Sequence, residues 1–372
     1  MKQQNIAIVG AGASGLFSAV LLSSRPGVHI HIFEKNNKIA SKLRASGGGR
    51  ANILNAHILP IHYNNTDFMN TFLQKVDYKT IEKVFLNLGL LMRMDEENRV
   101  YPATFCSQTV VDLLSHRLHE NCEISCGYEI KKLSLCNRKW QIDDEKMLFD
   151  QVILASGSPA GLKMKNRNEY NAYLASLSLK MSKLQPSLVG FKIQDYPKLL
   201  FGCRAKARVT LFQKSVPLYS EVGEVMFKED GVSGIVILNI SAYYNRLKEK
   251  ENCELSLDFL YDHELLSPKK YLQNHGDMIG VLHPHLCELY RQRSFSLRDF
   301  RLKIKGCYDL ETAQVCSGGV SLQEVGEYFE LKRYPNIFAI GEMLDIDGVC
   351  GGYNLFFAFA SAYWMTKAKV FN

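Results

Sequence analysis

Three glycines near the amino terminus constrain the fold of this chain more than any other feature. Gly10, Gly12 and Gly15 form a G-x-G-x-x-G pattern that directly follows an apolar run at residues 5–9 and opens a helical pattern. A second apolar run follows the helix and ends at Glu34. A strand, a glycine turn, a helix and a second strand ending in an acid are the first βαβ unit of a dinucleotide-binding fold. A βαβ turn without any ligand is the weaker alternative.

The same pattern predicts how a nucleotide would be held. Gly10 permits a tight turn, Gly12 lets the backbone approach a pyrophosphate, and Gly15 lets the helix pack closely on the strand. Ala13 and Ser14 lie in this turn. There the helix amino terminus offers unpaired N–H groups and the positive end of its dipole to the phosphates.

Residues after the second strand are expected to contact the same ligand. Glu34 can accept hydrogen bonds from both adenosine ribose hydroxyls, and Lys35 follows it. A run of three glycines comes next, a loop of high entropic cost that is tolerated where backbone must approach a ligand. A flexible surface linker is the alternative for this loop, and its flanking cations favour ligand contact. The predicted contacts from the loop are Lys42, Ser46, Gly48, Gly49, Arg50 and Asn52.

The carboxyl-terminal sixty residues contain a second set of ligand-facing turns. A buried strand runs into a Gly-Glu pair, and two further glycines precede an apolar helix. Because this set lies so far along the chain from the first, the bound molecule is expected to be long. FAD fits, since it uses a returning strand and a helix whose positive end faces the flavin. Together with a small-residue turn after a strand at 151–154, these segments supply the predicted contacts Ala155, Ser156, Gly157, Gly341, Glu342, Asp347, Gly351, Gly352, Tyr353 and Asn354.

Composition changes near Pro186 and predicts an inserted domain. Several strand-like segments, one of them at 235–240, precede a helical stretch. We predict that residues 186–310 form a β-rich insert with a helical excursion at about 243–298. The insert interrupts an FAD-binding domain formed by residues 1–185 and 311–372. The predicted fold is therefore α/β, a doubly wound Rossmann-like domain interrupted by a β-rich domain with a helical subdomain.

Charge and cysteine content limit the partners. The chain has 45 Lys and Arg against 38 Asp and Glu, a mild net charge of +7 that fits a small anionic ligand or a partly basic surface. This surplus does not by itself argue for nucleic acid, which is not an expected partner. Two basic runs, at 163–167 and 291–305, leave an RNA-modifying flavoprotein open as an alternative. The ten cysteines include no C-x-x-C pair, and no metal site is predicted. No apolar run reaches the roughly 20 residues of a membrane span, and no signal peptide is recognisable, so we expect a cytoplasmic protein.

Motifs along almost the whole chain resemble one family, the bacterial FAD-binding, NAD(P)/FAD-dependent oxidoreductases of the aminoacetone-oxidase-like and bile-acid-reductase-like type. The segments that carry the resemblance are GAGASG at 10–15, SGGGRANILN at 46–55, RVYP at 99–102, FKEDGVSG at 227–234, AQVCSGGVSLQEV at 313–325 and AIGEMLDIDGVCGGYNLFFAFASA at 339–362. The resemblance implies an FAD domain with an insert. The FAD contacts it implies are the 10–15 turn, Glu34, Lys42, Arg50, Asn52, Glu342, Gly352 and Asn354. The sequence departs from the family at residues 155–158, where ASGS stands in place of ATGG.

The predicted function is an FAD-dependent oxidoreductase in which a hydride passes through flavin N5. Only one G-x-G-x-x-G is present, so NAD(P)H would visit the flavin transiently, or a small organic substrate would itself be the reductant. A flavin-dependent amine oxidase using O2 and a non-catalytic flavin-binding protein are further alternatives. Arg50, Cys350, Tyr353 and His57 are the candidates for a catalytic acid or base, because they adjoin the flavin-side motifs.

Overall fold

The computed structural model describes residues 3–143, 146–161, 171–263 and 265–371. The chain divides into two compact units, one formed by residues 1–184 and 315–372 and the other by residues 185–314. Within the described ranges, none of the helices combines the length and apolar character that crossing a bilayer requires.

Strands account for much of both units. In chain order they are β1 (Gln4–Val9), β2 (Val28–Glu34), β3 (Leu54–Asn55), β4 (Met92–Met94), β5 (Arg99–Pro102), β6 (Cys122–Cys126), β7 (Leu133–Cys136), β8 (Lys139–Ile142), β9 (Leu148–Phe149), β10 (Gln151–Leu154), β11 (Met181–Ser187), β12 (Phe191–Ile193), β13 (Arg204–Gln213), β14 (Val216–Phe227), β15 (Gly231–Ser233), β16 (Cys253–Asp258), β17 (Phe300–Cys307), β18 (Val315–Val320) and β19 (Ile337–Ala339). The helices are α1 (Ala13–Ser23), α2 (Ser41–Ala45), α3 (Thr66–Phe72), α4 (Tyr78–Leu88), α5 (Ser107–His116), α6 (Ile235–Arg246), α7 (Pro268–His275), α8 (Pro284–Gln292) and α9 (Tyr353–Met365).

A five-stranded parallel sheet organises the first unit, with the order β19-β10-β1-β2-β6. β1 lies at its centre, where Val9 pairs with Phe33 of β2 on one side and Leu154 of β10 on the other. This order is that of a doubly wound dinucleotide-binding fold, in which ligands bind at the carboxyl ends of the strands. The predicted α/β, Rossmann-like domain is confirmed.

Aromatic packing joins the two helices that follow the predicted ligand turns. Phe17 of α1, Phe85 of α4 and Phe359 of α9 are fully buried, and their ring centroids lie 4.9–5.1 Å apart. Ser361 of α9 also accepts a hydrogen bond from the backbone N–H of Gly341 at 3.0 Å. The amino-terminal and carboxyl-terminal segments of the chain therefore share one core beside the sheet.

The second unit is a closed barrel of six strands in the order β12-β15-β14-β13-β16-β17, so the predicted β-rich insert is confirmed. Two details of the prediction are wrong. Residues 235–240, expected as a strand, begin helix α6, because packing of Val236, Ile237 and Ile240 into the barrel core overrides their β-branched propensity. The expected helical excursion at 243–298 is not continuous: it contains β16, which pairs with β13 and β17, besides α7 and α8.

Candidate cofactor site

The three glycines of the turn after β1 occupy two closed positions and one open position. A Cβ on Gly15 would lie 1.9 Å from the carbonyl oxygen of Gly10, and one on Gly10 would lie 2.6 Å from the carbonyl oxygen of Ala155. A Cβ on Gly12 would meet no heavy atom within 4 Å beyond its chain neighbours. Gly10 and Gly15 are therefore required by packing, whereas Gly12 borders free space that a phosphate group could occupy.

Helix α1 begins in this turn without a side-chain cap. Gly12 is its N-cap residue, Ala13 is its first helical residue, and its first turn has no acidic side chain. The first N–H groups of a helix lack partners within the helix, so this end is suited to an anion. Ser14 in the same turn is buried, and a Cβ on Gly341, where φ is +70°, would lie 2.6 Å from its Oγ. The structure thus brings the first turn of α1 against the end of β19.

Glu34 at the end of β2 is buried, with 6% of its surface exposed. Its Oε2 accepts from the N–H of Ala11 at 2.8 Å, and its Oε1 accepts from the backbone N–H and the side-chain amide of Asn36 at 2.9 and 2.6 Å. A carboxylate has about four acceptor positions, so these three bonds leave one for a ligand hydroxyl. Glu34 therefore braces the glycine turn in addition to any role in ribose binding. Burial lowers the pKa of the adjacent Lys35, and Glu129 and Glu34 oppose that shift.

An ion pair joins α2 to the end of β19. Lys42 Nζ lies 2.9 Å from Glu342 Oε2 and donates to both oxygens of Ser158 at 3.0 Å. The Ser158 hydroxyl donates to Glu342 Oε1 at 2.7 Å, and a Cβ on Gly157 would lie 3.7 Å from Glu342 Oε2. Three segments far apart in sequence meet here. Ser158 is not among the cofactor contacts predicted from the sequence, although it lies in the 155–158 segment where the chain departs from the family pattern.

The loop after the three-glycine run meets the start of α9. The Asn52 amide donates to the carbonyl oxygen of Leu54 at 3.0 Å and accepts from the N–H of Gly352 at 3.2 Å. The buried Asn55 side chain donates to the carbonyl oxygen of Gly351 at 2.9 Å. A Cβ on Gly352, where φ is +95°, would lie 2.3 Å from the Leu54 carbonyl oxygen, so only glycine fits there.

Two more predicted residues hold the loop that leads into α9. The Asn354 amide accepts from the N–H of Gly348 and donates to its carbonyl oxygen, both at 2.9 Å. The buried Asp347 donates its backbone N–H to Asn64 Oδ1 at 3.0 Å. The amino terminus of α9 has no side-chain cap and no acid in its first turn. Like α1, this helix start is suited to a partial negative charge.

The candidate catalytic residues differ in burial and in their contacts. Tyr353 is buried, its hydroxyl lies 3.5 Å from the carbonyl oxygen of His57, and its ring centroid lies 4.3 Å from that of His62. Cys350 is half-buried and is not in a disulfide. Arg50 is exposed, and within the described residues its side chain forms no hydrogen bond or ion pair.

Two residues that belong to no sequence motif, His62 and Tyr63, contact Tyr353. The Tyr63 hydroxyl donates to the backbone carbonyl of Tyr353 at 2.9 Å, and burial raises the pKa of Tyr63 well above its ordinary value. His62 Nδ1 accepts from the backbone N–H of Leu59 at 3.1 Å. Burial, and to a smaller extent His57, lowers the pKa of His62. The neutral His62 ring therefore carries its proton on Nε2.

Some predicted contacts have their polar groups already engaged. The Ser156 hydroxyl is hydrogen-bonded to the Tyr173 hydroxyl at 2.7 Å, and the Ser46 hydroxyl donates to the Leu43 carbonyl oxygen at 2.7 Å. Gly48 and Gly49 have φ of +64° and +86° and, like Gly12, no heavy atom within 4 Å of a Cβ position. These two glycines therefore border open space, and their contact with a ligand stays a prediction.

A parallel sheet, an open glycine turn, a buried acid after β2 and a returning β19–α9 segment together define a Rossmann-type flavoprotein fold. All the predicted cofactor residues lie in the first unit, near the carboxyl ends of the central strands or in the loops and helices that follow them. The chain belongs to the HI0933-like protein Rossmann domain family, whose match spans residues 4–368. The chain is therefore a member of a family of flavin-type oxidoreductases.

Three relatives align with almost the whole chain. The chain is 28% identical to the 3-dehydro-bile acid delta(4,6)-reductase of Clostridium scindens over 98% of each chain. It is 25% identical to the ribosomal RNA dihydrouridine synthase of Haemophilus influenzae over 96% of each chain. Identity to the Escherichia coli protein of the same description is 24%, over 98% of this chain and 97% of the relative. The resemblance to bile-acid-reductase-like oxidoreductases is confirmed.

Proposed function

We propose that this protein is an FAD-dependent reductase that adds a hydride and a proton across a carbon–carbon double bond conjugated to a carbonyl group. NAD(P)H is the proposed transient electron donor. The observation that carries the proposal is the meeting of the open glycine turn with the β19–α9 return, because a long dinucleotide requires both. When bound, FAD would accept a hydride from NAD(P)H and, once reduced, would deliver it from N5 to the substrate.

The residues that would hold FAD follow from the contacts above. The free N–H groups at the start of α1 suit the pyrophosphate, and the remaining acceptor position of Glu34 suits one adenosine ribose hydroxyl. Glu342, oriented by Lys42, suits a hydroxyl of the ribityl chain. The uncapped start of α9 suits the flavin edge where reduction builds negative charge. Each of these contacts remains a prediction.

The proposed substrate class is supported by the chemistry that the relatives' descriptions share. A delta(4,6)-reductase acting on a 3-dehydro-bile acid and an enzyme forming dihydrouridine are both named for adding hydrogen to a carbon–carbon double bond. In each named substrate that bond is conjugated to a carbonyl group, which polarises it toward hydride. An enone or a ring of similar electronic character is therefore the proposed acceptor.

Completing such a reduction requires a proton at the carbon next to the carbonyl. We assign that proton to the Tyr353 hydroxyl, which lies in a buried environment beside the start of α9. His62 would position the Tyr353 ring through their contact at 4.3 Å, and Tyr63 fixes the backbone by its bond to the Tyr353 carbonyl. Burial of the tyrosine also excludes water that would compete as a proton source.

An anaerobic absorption spectrum tests the proposal. The purified chain, reconstituted with FAD, should show a flavin band that bleaches when NADPH is added and returns when a 3-keto-4-ene steroid acid follows. A band that resists NADPH and NADH but bleaches with a small primary amine would favour amine oxidation instead. The absence of any flavin band after reconstitution would overturn the cofactor assignment.

Reduction of uridine in RNA is a second candidate, favoured by 25% identity to the Haemophilus influenzae enzyme over 96% of each chain. Of the two basic runs, residues 163–167 lie outside those the structure describes. In the other, Arg301, Lys303 and Lys305 are exposed along β17 and alternate with Leu302 of the barrel core. This pattern is that of an ordinary solvated strand face. The test is to incubate the FAD-loaded protein with a ribosomal RNA transcript and NADPH. Formation of dihydrouridine in the transcript would establish this candidate over a small-molecule substrate.

A further inference from the structure

The second unit contains a cavity of about 450 Å³, and none of the predicted cofactor residues lines it. That volume lies within the range of small-molecule sites, roughly 300–1,000 Å³. Its apolar lining includes Phe259, Leu266 and Leu282, and two phenol rings, those of Tyr261 and Tyr271, stand beside them. The lining also includes charged and imidazole groups, so the cavity presents apolar and polar surface together.

One arginine, Arg298, holds three residues that line the cavity. Arg298 donates to the carbonyl oxygens of Leu260, His263 and Leu266 at 2.9, 2.7 and 3.3 Å. Asp258 Oδ1 lies 3.8 Å from the guanidinium and accepts from the N–H of Leu260. These bonds fix the backbone at Leu260, His263 and Leu266, so a ligand would not have to order those three wall residues on binding.

The rings of the wall are also held in place. The guanidinium carbon of Arg208 lies 5.9 Å from the centroid of the Tyr261 ring, within cation–π range. The Tyr271 hydroxyl covers Gly280, where a Cβ would lie 2.5 Å from the tyrosine oxygen. Both rings therefore offer flat surface to a ligand without first having to be ordered.

The charged groups that line the cavity leave one cation without a partner. Arg204 is paired with Glu224 at 3.3 Å, and the Asp262 carboxylate lies 3.7 Å from the His263 ring, which is charged only when it is protonated. Lys206, two residues along β13 from Arg204, forms no ion pair or side-chain hydrogen bond with any residue that the structure describes. An unpaired ammonium group at the edge of an apolar cavity favours a ligand that carries a single negative charge.

We propose that the inserted unit carries a second ligand site in this cavity, for a small amphipathic anion with an aromatic or alicyclic body and one carboxylate. The body would lie against Tyr261, Tyr271 and Leu266, and the carboxylate would face Lys206. This site is separate from the cofactor residues and does not rest on the proposed reductase activity.

Isothermal titration calorimetry of the full, FAD-loaded chain tests the proposal. The probe is naphthalene-2-carboxylate, and its neutral analogue is naphthalen-2-ylmethanol. We expect the carboxylate to bind with one-to-one stoichiometry and about tenfold more tightly than the alcohol. Lys206→Met should weaken carboxylate binding by about tenfold and leave alcohol binding unchanged, since it removes only the charge.

Two further variants locate the site. Lys214→Met is the matched control, because Lys214 lies just beyond β13, is exposed, pairs with Glu249 and does not line the cavity. It should bind both probes as the wild type does. Leu266→Trp should abolish binding of both probes by filling the cavity.

Two results would overturn the proposal. One is the absence of carboxylate binding at millimolar concentration. The other is carboxylate affinity that Lys206→Met leaves unchanged, which would place the probe elsewhere. Lys206 is exposed, so Lys206→Met should fold normally and the test stays decisive even if Leu266→Trp does not fold.

Discussion

The ammonium group of Lys42 and the carboxylate of Glu342 lie 2.9 Å apart, although 300 residues separate them in the chain. Ser158 contacts both groups, so each carboxylate oxygen of Glu342 has a donor. Glu342 is placed where a ribityl chain and a pyrophosphate are proposed to pass, and an uncompensated negative charge there would repel the phosphates. The pair orients Glu342 and neutralises it at the same time.

Replacing Lys42 tests that dual role. Lys42→Met should raise the Kd for FAD by about fivefold, a modest effect because the pair is partly exposed. The double variant Lys42→Met/Glu342→Gln should lose less affinity than the two single changes combined, because it removes the uncompensated charge. Fluorescence titration of the apoprotein with FAD measures this. Lys75→Met, which breaks a surface pair with Glu327, is the control, and strictly additive effects would contradict the proposed coupling.

The glycine turn predicts opposite outcomes for two similar substitutions. Gly12→Val should leave the apoprotein folded, because no heavy atom beyond its chain neighbours lies near the Cβ position, and should abolish FAD retention by blocking the phosphates. Gly15→Val should prevent folding, because its Cβ would lie 1.9 Å from the Gly10 carbonyl oxygen. Thermal unfolding of both apoproteins, together with flavin content after reconstitution, separates the two. A Gly12→Val protein that purifies with full flavin would refute the role of this turn.

Ser158 should contribute to both stability and cofactor affinity. Ser158→Ala removes the 2.7 Å bond to Glu342 from a buried position, so we expect a loss of about 1 kcal/mol in the free energy of unfolding. FAD binding should weaken several-fold because the carboxylate loses one of its orienting donors. Urea unfolding and FAD titration measure the two effects. Ser24→Ala, at an exposed helix end, is the comparison and should change neither.

The lowered pKa of His62 predicts a pH dependence of stability. Burial holds the pKa of His62 below its ordinary value of 6.5, so the unfolded chain binds this proton more readily than the folded chain does. Stability should therefore fall as the pH drops through the window just below 6.5. His62→Phe keeps a ring against Tyr353 and removes the titration. The amount by which its free energy of unfolding falls short of the wild-type value should therefore shrink as the pH is lowered from about 7 to about 5. Urea unfolding of both proteins across that pH range measures this difference. A difference in the free energy of unfolding that does not change with pH would contradict the assignment.

Tyr353→Phe tests the proposed proton donor. NADPH should reduce the flavin bound to this variant at the wild-type rate, because that half-reaction does not use the Tyr353 hydroxyl. Reoxidation by a conjugated enone should slow by about a hundredfold, the usual size of a lost general acid. Stopped-flow absorbance of the flavin band resolves the two half-reactions. Equal slowing of both would indicate a packing defect rather than a lost proton.

Much of the fold was predictable because its signals are local. The G-x-G-x-x-G pattern, the apolar runs around it and the acid at position 34 predict a βαβ unit, since turn geometry and strand periodicity depend on neighbouring residues. The α/β domain with a β-rich insert follows from the same reasoning. Local signals failed at residues 235–240 and 253–258, where β-branched residues form a helix and a predicted helical stretch contains a strand. There, burial in the barrel core outweighed local propensity.

The sequence by itself determined which glycines, acids and apolar runs could build a dinucleotide site, because each depends on a few consecutive residues. Only the tertiary structure decided which distant groups meet there. The pairing of Lys42 with Glu342, the role of Ser158 between them and the contact of His62 with Tyr353 join residues from separate elements. Such contacts depend on how the sheet and helices pack, and no spacing along the chain encodes them.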